Sequence, residues 1–209
     1  YNEIEIPRGG EFDLVLADGT QVWLNAESRL RYPVEFSGKE RKVVLEGEAY
    51  FQVKKNPSLP FRVEIRNQVI EVLGTEFNVS GYKDEVHVYT TLVNGKVKVA
   101  TTGRDMTLLP GEQCVLDTGD GSMIRQQGDV DKIISWKKGK FNLEETTLEQ
   151  IMKKLARWYD ITVFYQNPEM KNKVLKGSVH RYEELQQVFN NLETNDAVQF
   201  QIHTRKDIV

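Results

Sequence analysis

Two glutamates carry the best chemical possibility in this chain. Glu46 and Glu48 lie two apart within RKVVLEGEAYFQVK, residues 41–54. On a β-strand, side chains two apart point to the same face. The two carboxylates would then project together, as the acid and its partner do in sugar hydrolysis. The same spacing also arises on any charged, solvated strand face. His87, His180 and His203 stand far apart, with no carboxylate or cysteine at ligand spacing, which argues against a metal site. The one cysteine, Cys114, permits no intrachain disulfide and alternates with Leu116 in EQCVLD, so it reads as a small buried hydrophobe rather than a nucleophile. No glycine-rich phosphate loop, nucleophile elbow or Cys/His arrangement is present. The expectation is a binding or interaction protein, without cofactor or metal, and not an enzyme.

The chain has 209 residues, enough for one large or two modest domains. Charged residues make up 28% and hydrophobic ones 39%, a globular rather than a disordered balance. No stretch approaches the roughly 20 apolar residues of a membrane span, and no signal peptide opens the chain. It begins at Tyr1 on strand-like sequence, which leads us to expect a soluble part of something longer. Residues 1–133 hold 16 Lys and Arg against 21 Asp and Glu, and residues 134–209 hold 12 against 10. Neither balance is extreme, and no basic stripe interleaved with aromatics points to nucleic acid.

In the 41–54 stretch, Val43, Leu45, Gly47, Ala49, Phe51 and Val53 fall on one side of a period-two pattern. The glycine near its middle marks a bulge, a bend or a close backbone approach, and we expect a long, bent strand. Residues 12–25 read as a hairpin turning at Asp18-Gly19, and residues 86–99 as a second hairpin turning at Asn94-Gly95. Pro110-Gly111 suits a type II turn. Residues 25–33 read as irregular. Many short strands with Gly, Pro and Asn turns, and no helical periodicity before residue 127, predict a sandwich or barrel.

Residues 117–131 are polar and glycine-rich, and the pattern changes after them, so a boundary is expected near Asp131, with Trp136 anchoring the start of a second domain. Residues 146–159 are helical in spacing, with Thr147 and Gln150 fitting a capping box. Leu185, Val188, Phe189 and Leu192 repeat Leu148, Ile151, Met152 and Leu155 at a constant offset. The strands expected after the two helices, Ile161, Val163, Tyr165 and Val198, Phe200, Ile202, keep that offset. The predicted architecture is thus two domains: an all-β sandwich (jelly-roll-like and curved) over residues 1–131, then a small α+β domain of two βαβ-like units over residues 132–209.

Six segments stand in an ordered series: LADGTQVWLNAESRLRYP (16–33), RKVVLEGEAYFQV (41–53), PFRV (60–63), VLGTEFNV (72–79), VNGKVKV (93–99) and LLPGEQ (108–113). The series resembles FecR-type proteins, membrane-spanning anti-sigma factors of Gram-negative bacteria. Residues 136–165 and 175–192 look like the C-terminal domain that follows FecR in one branch of that family, which is similar to the STN module of secretins and TonB-dependent transducers. The resemblance implies that this chain lies in the periplasm, as the ectodomain of a single-pass inner-membrane protein. Its partners would be the N-terminal signalling domain of a TonB-dependent outer-membrane transporter and periplasmic or membrane proteases. An extracytoplasmic-function sigma factor would be held by a cytoplasmic part outside this chain.

The motif residues Asp18, Gly19, Trp23, Asn25, Gly47, Glu48, Phe51, Gly74, Thr75, Phe77, Gly95 and Gly111 read as mainly structural, serving turns, bends and core. The contact surface is better sought on the smaller domain. An open sheet edge there, at Ile161, Val163 and Tyr165 or at Val198, Phe200 and Ile202, would accept a partner strand, flanked by Lys171, Lys173 and Lys176. The alternative is a sandwich that binds a glycan or cell-wall polymer, for which Trp23, Tyr50 and Tyr82 are the aromatic platform candidates.

Overall fold

The computed structural model describes residues 1–193 and 198–203, in two compact units, Tyr1–Lys137 and Lys138–Val209. The first contains β1 (Asn2–Ile6), β2 (Phe12–Val15), β3 (Gln21–Leu24), β4 (Ser28–Tyr32), β5 (Arg41–Gln52), β6 (Phe61–Ile65), β7 (Gln68–Val72), β8 (Glu76–Gly81), β9 (His87–Asn94), β10 (Val97–Thr101), β11 (Arg104–Leu108), β12 (Glu112–Asp117) and β13 (Met123–Gln127). A short helix, α1 (Val130–Ile133), and a 3₁₀ turn over Ser135–Lys138 follow.

The strands form one continuous 13-stranded ladder folded into two layers that share β5. Up to Glu46, β5 pairs with β4 and, in parallel, with β6. From Gly47 onward it pairs with β3 and β8. One layer therefore runs β11-β10-β7-β6-β5-β4-β1 and the other β2-β3-β5-β8-β9-β12-β13. Gly47 sits at the switch with φ +90, where a Cβ would lie 2.4 Å from Ser28 Oγ and 2.8 Å from Ser28 Cα. Any side chain would collide there, so the corner between the layers needs glycine.

The expected alternation holds, since Val43, Leu45, Ala49 and Phe51 are buried between the layers. Phe51 stacks on Phe77 at 5.1 Å between centroids and tilts against Phe61 at 6.0 Å. The Gln68 amide donates across the core from one layer to the Thr90 hydroxyl of the other, at 2.7 Å. Such a pair satisfies two buried polar groups that would otherwise cost stability.

The hairpin at Asp18-Gly19 forms as expected, β2 against β3. The one expected at Asn94-Gly95 does not. β9 stays in one layer while β10 pairs with β7 and β11 in the other, so Gly95 lies on a crossing between layers. The crossing is packed against a second one: a Cβ on Gly95 would meet Thr75 Oγ1 at 3.0 Å, and the Thr75 hydroxyl donates to the Lys96 carbonyl at 2.9 Å. Pro110-Gly111 forms its turn, with the Glu112 N–H donating to the Leu109 carbonyl at 2.9 Å. Residues 28–32 are strand β4 rather than irregular chain, and residues 123–127 within the expected linker are strand β13.

The second unit contains β14 (Lys140–Asn142), β15 (Thr146–Thr147), α2 (Leu148–Tyr159), a 3₁₀ turn (Pro168–Asn172), β16 (Val174–Leu175), β17 (Ser178–His180) and α3 (Leu185–Glu193). β14 pairs antiparallel with β17, Phe141 opposite Val179, and β15 pairs with β16. Both legs of the Thr147/Gln150 capping box are present. The apolar faces of the two helices, including Ile151, Leu155, Val188 and Phe189, close one core with Phe141 and Val179. The units divide after Lys137, so residues 132–137 belong with the sandwich rather than with the second unit.

Candidate functional site

The glutamate pair is taken apart by the corner between them. Glu46, on the near side of Gly47, pairs with Lys83 at 2.6 Å. Glu48, on the far side, accepts from the Asn25 amide at 2.7 Å and from the Asn78 amide at 3.0 Å. The two carboxylates thus have separate partners, an exposed lysine for Glu46 and two amides for Glu48. Among the described residues no group of three His, Cys, Asp or Glu is placed to hold a metal ion. Cys114 is buried, and burial pushes its thiol up to about 11, so it stays protonated and inert at neutral pH. His87 faces Asp117 at 3.5 Å on the surface of β9 and β12.

The expected aromatic platform is not exposed. Tyr82 is buried and donates to the Ala26 carbonyl at 3.0 Å. Tyr50 is buried and donates to Glu76 at 2.8 Å; burial and that carboxylate hold its hydroxyl above the ordinary tyrosine range. Trp23 packs edge-on against Tyr50, with the Lys137 ammonium 3.7 Å above its ring and 4.4 Å from that of Tyr50. A glycan reading that needs a flat aromatic face loses its three candidates.

The motif residues of the first unit lie in turns, crossings and core. Asp18 accepts from the Thr20 N–H and hydroxyl in its turn, and also pairs at 2.6 Å with Arg41, whose side chain is only 1% exposed. The Asn25 amide holds Glu48, Gly47 turns the corner, and Phe51 and Phe77 stack in the core. At Gly74 a Cβ would lie 2.6 Å from Lys55 Cα, so this crossing too requires glycine. Thr75, Gly95 and Gly111 belong to the same set of crossings between layers.

A buried polar row on the outward face of the β8-β9-β12 layer was not anticipated. The Gln126 amide donates to Gln113, Gln113 donates to Thr91 at 2.8 Å, and Asn78, opposite Thr91, donates to Glu48. Asn78, Thr91 and Gln113 are all buried although their strand neighbours Phe77, Leu92 and Cys114 fill the core on the other side. The readable signal was there: uncharged amides and a threonine occupy outward positions where charged residues are usual on a solvated face.

In the second unit the two expected edge segments do not join a ladder. Residues 161–165 and 198–203 carry no strand assignment among the described residues. Ile161, Val163 and Tyr165 are half-buried on the core while Thr162 and Phe164 are exposed. Val198 and Phe200 are likewise half-buried, Phe200 stacking on Phe189 at 4.4 Å, and Ile202 is exposed. The alternation is that of extended chain laid on a core, to which no strand pairing is assigned among the described residues. Period-two packing follows from side chains meeting a core, whereas a ladder also needs a neighbouring backbone. Lys171 is drawn to Glu149 at 3.2 Å and sits over the Tyr165 ring, and Lys176 is exposed.

Comparison with known proteins agrees with this division. The family model described as FecR protein matches residues 2–98, and that described as FecR, C-terminal matches residues 140–209. The chain belongs to the FecR family. The FecR match ends within β10, and the C-terminal match opens on the first residue of β14, so residues 99–139 lie between them. Two crystal structures, each of a candidate anti-sigma factor from Parabacteroides distasonis, resemble the whole FecR-family chain. One, at 1.65 Å resolution, is 28% identical with a TM-score of 0.90, over 98% of this chain and 96% of that one. The other, at 2.50 Å, is 29% identical with a TM-score of 0.88, over 97% and 94%. No curated protein matches. The family is one of regulatory, signalling proteins, and no helix among the described residues is long and apolar enough to cross a membrane.

Proposed function

We propose that this chain is the sensing part of a membrane-anchored anti-sigma factor, placed in the periplasm. Its second unit receives the N-terminal signalling domain of a TonB-dependent outer-membrane transporter. The signal passes to an extracytoplasmic-function sigma factor held by a cytoplasmic part outside this chain, with periplasmic or membrane proteases acting on the anti-sigma factor. Membership of the FecR family and the likeness to candidate anti-sigma factors support a signalling role.

The observation that carries the reading is the pair of unladdered segments at 161–165 and 198–203, with inner side chains already seated and outer ones such as Phe164, 81% exposed, presented to solvent. A strand from the transporter's domain would complete the hydrogen bonding of such a segment at little ordering cost, since the receiving side is already extended over a core. Proline at a paired position removes the N–H that a ladder uses. Substituting Val163→Pro and Val198→Pro together should abolish binding of the transporter's domain in calorimetry while the melting profile is kept. Undiminished binding by a folded double variant would rule these segments out as the receiving edge.

A further inference from the structure

We infer that residues 128–137, between β13 and the second unit, form a latch: a strap seated on the outward face of the β3-β5-β8-β9-β12 layer, whose release is a discrete opening of the folded protein. Four contacts seat it. The Trp136 indole donates to Asn78 Oδ1 at 3.1 Å, and Trp136 is the buried residue of the strap. The Lys137 ammonium lies 3.7 Å over Trp23 and 4.4 Å from the Tyr50 ring, a cation held by two aromatic faces. The Gly128 N–H donates to the Gly111 carbonyl at 2.8 Å. At Gly128 the chain comes down on the polar row so closely that a Cβ would meet Thr91 Cγ2 at 3.2 Å and Gln113 Cβ at 3.3 Å. The strap is what buries Asn78, Thr91 and Gln113 on a face that strand alternation turns outward.

Two features make this cover a latch rather than a further piece of core. The strap is anchored by one buried side chain, Trp136, while the four residues of α1 are half-buried or exposed. Segments held by few buried contacts open at a free energy well below that of global unfolding. The seat, in turn, is polar and already internally bonded, from Gln126 through Gln113 to Thr91 and from Asn78 to Glu48 to Asn25. Water can wet such a row on release without the penalty that bare apolar surface or an orphaned polar group would carry. Opening lifts Lys137 from the Trp23–Tyr50 pair. It also frees about ten residues of tether ahead of the second unit, a reach of roughly 30 Å when extended.

Hydrogen exchange by mass spectrometry on the full chain tests this, with the core amides as internal reference. In the unmodified protein, amides of 129–137 should exchange at least on the order of a hundredfold faster than those of β5 and β8, because local opening precedes unfolding. Trp136→Phe removes the indole donor and part of the buried ring, and should speed exchange in 129–137 by on the order of tenfold while β5 and β8 stay unchanged. Lys137→Met should act in the same direction with smaller effect, and tryptic cleavage after Lys132 should accelerate in both variants. If 129–137 exchange in step with β5 and β8, the strap is part of the sandwich core and the inference is overturned. Unchanged exchange in both variants overturns it as well. Should Trp136→Phe not fold, the unmodified protein and Lys137→Met still decide.

Discussion

Gly47→Ala offers the sharpest test of how the two layers are joined. The residue holds φ +90, and an added methyl carbon would lie 2.4 Å from Ser28 Oγ, 2.8 Å from Ser28 Cα and 2.9 Å from the Glu27 carbonyl oxygen. Ordinary carbon contacts begin near about 3.5 Å, so two of the three clashes are with backbone that must itself move. The left-handed conformation alone costs about 1–2 kcal/mol for a residue with a Cβ. Forcing a methyl into a packed site adds about 1–3 kcal/mol. The expected total, about 2–5 kcal/mol, is a large part of the 5–15 kcal/mol, roughly, that holds a domain folded. In calorimetry of the full chain, the transition of the sandwich should fall by on the order of 10–20 °C, while that of the second unit stays in place. Gly103→Ala is the comparator: φ is +82 there, but nothing lies within 4 Å of the added carbon. It should carry only the conformational cost. Equal shifts for Gly47→Ala and Gly103→Ala would refute the close-approach argument.

Two further outcomes follow from buried polar groups. Asp18→Ala strands the guanidinium of Arg41, 1% exposed, and should cost about 3–5 kcal/mol in denaturant unfolding, whereas the Asp18→Ala, Arg41→Met pair should cost clearly less. Cys114 should resist thiol reagents at pH 8 until the sandwich unfolds. Its folded value is raised from 9.0 to about 11, so the stability linked to it is fully present below pH 9.0 and is lost as pH rises toward 11. Labelling of the folded protein at a rate independent of denaturant would contradict this.

Legibility of the fold tracked how local its cause was. The bent strand β5 was readable because its inner positions alternate without interruption and Gly47 breaks the run where the layers part. α2 was readable from its periodicity and its capping box. Asn94-Gly95 misled because turn chemistry specifies a positive φ but not which layer the next strand joins; that depends on β7, already waiting in the opposite layer. β13 escaped notice because four of its five residues are exposed, so no burial pattern marks it. The expected strands at 161–165 and 198–203 have the alternation, but no ladder is assigned to them among the described residues. The burial of Arg41 and of the row of Asn78, Thr91 and Gln113 could not be read along the chain, because burial of a polar residue is a property of what covers it. Here the cover is Asp18 with two carbonyls in one case and the 128–137 strap in the other.

The central claim is that the second unit, not the sandwich, receives the transporter's signalling domain. Calorimetric titration of the N-terminal signalling domain of a TonB-dependent transporter from the same organism into the full chain and into residues 1–137 tests this. Residues 1–137 close their own core and should remain folded when cut there. The full chain should bind one-to-one, and residues 1–137 should not bind. Equal binding by residues 1–137 would contradict it and move the receiving surface to the sandwich.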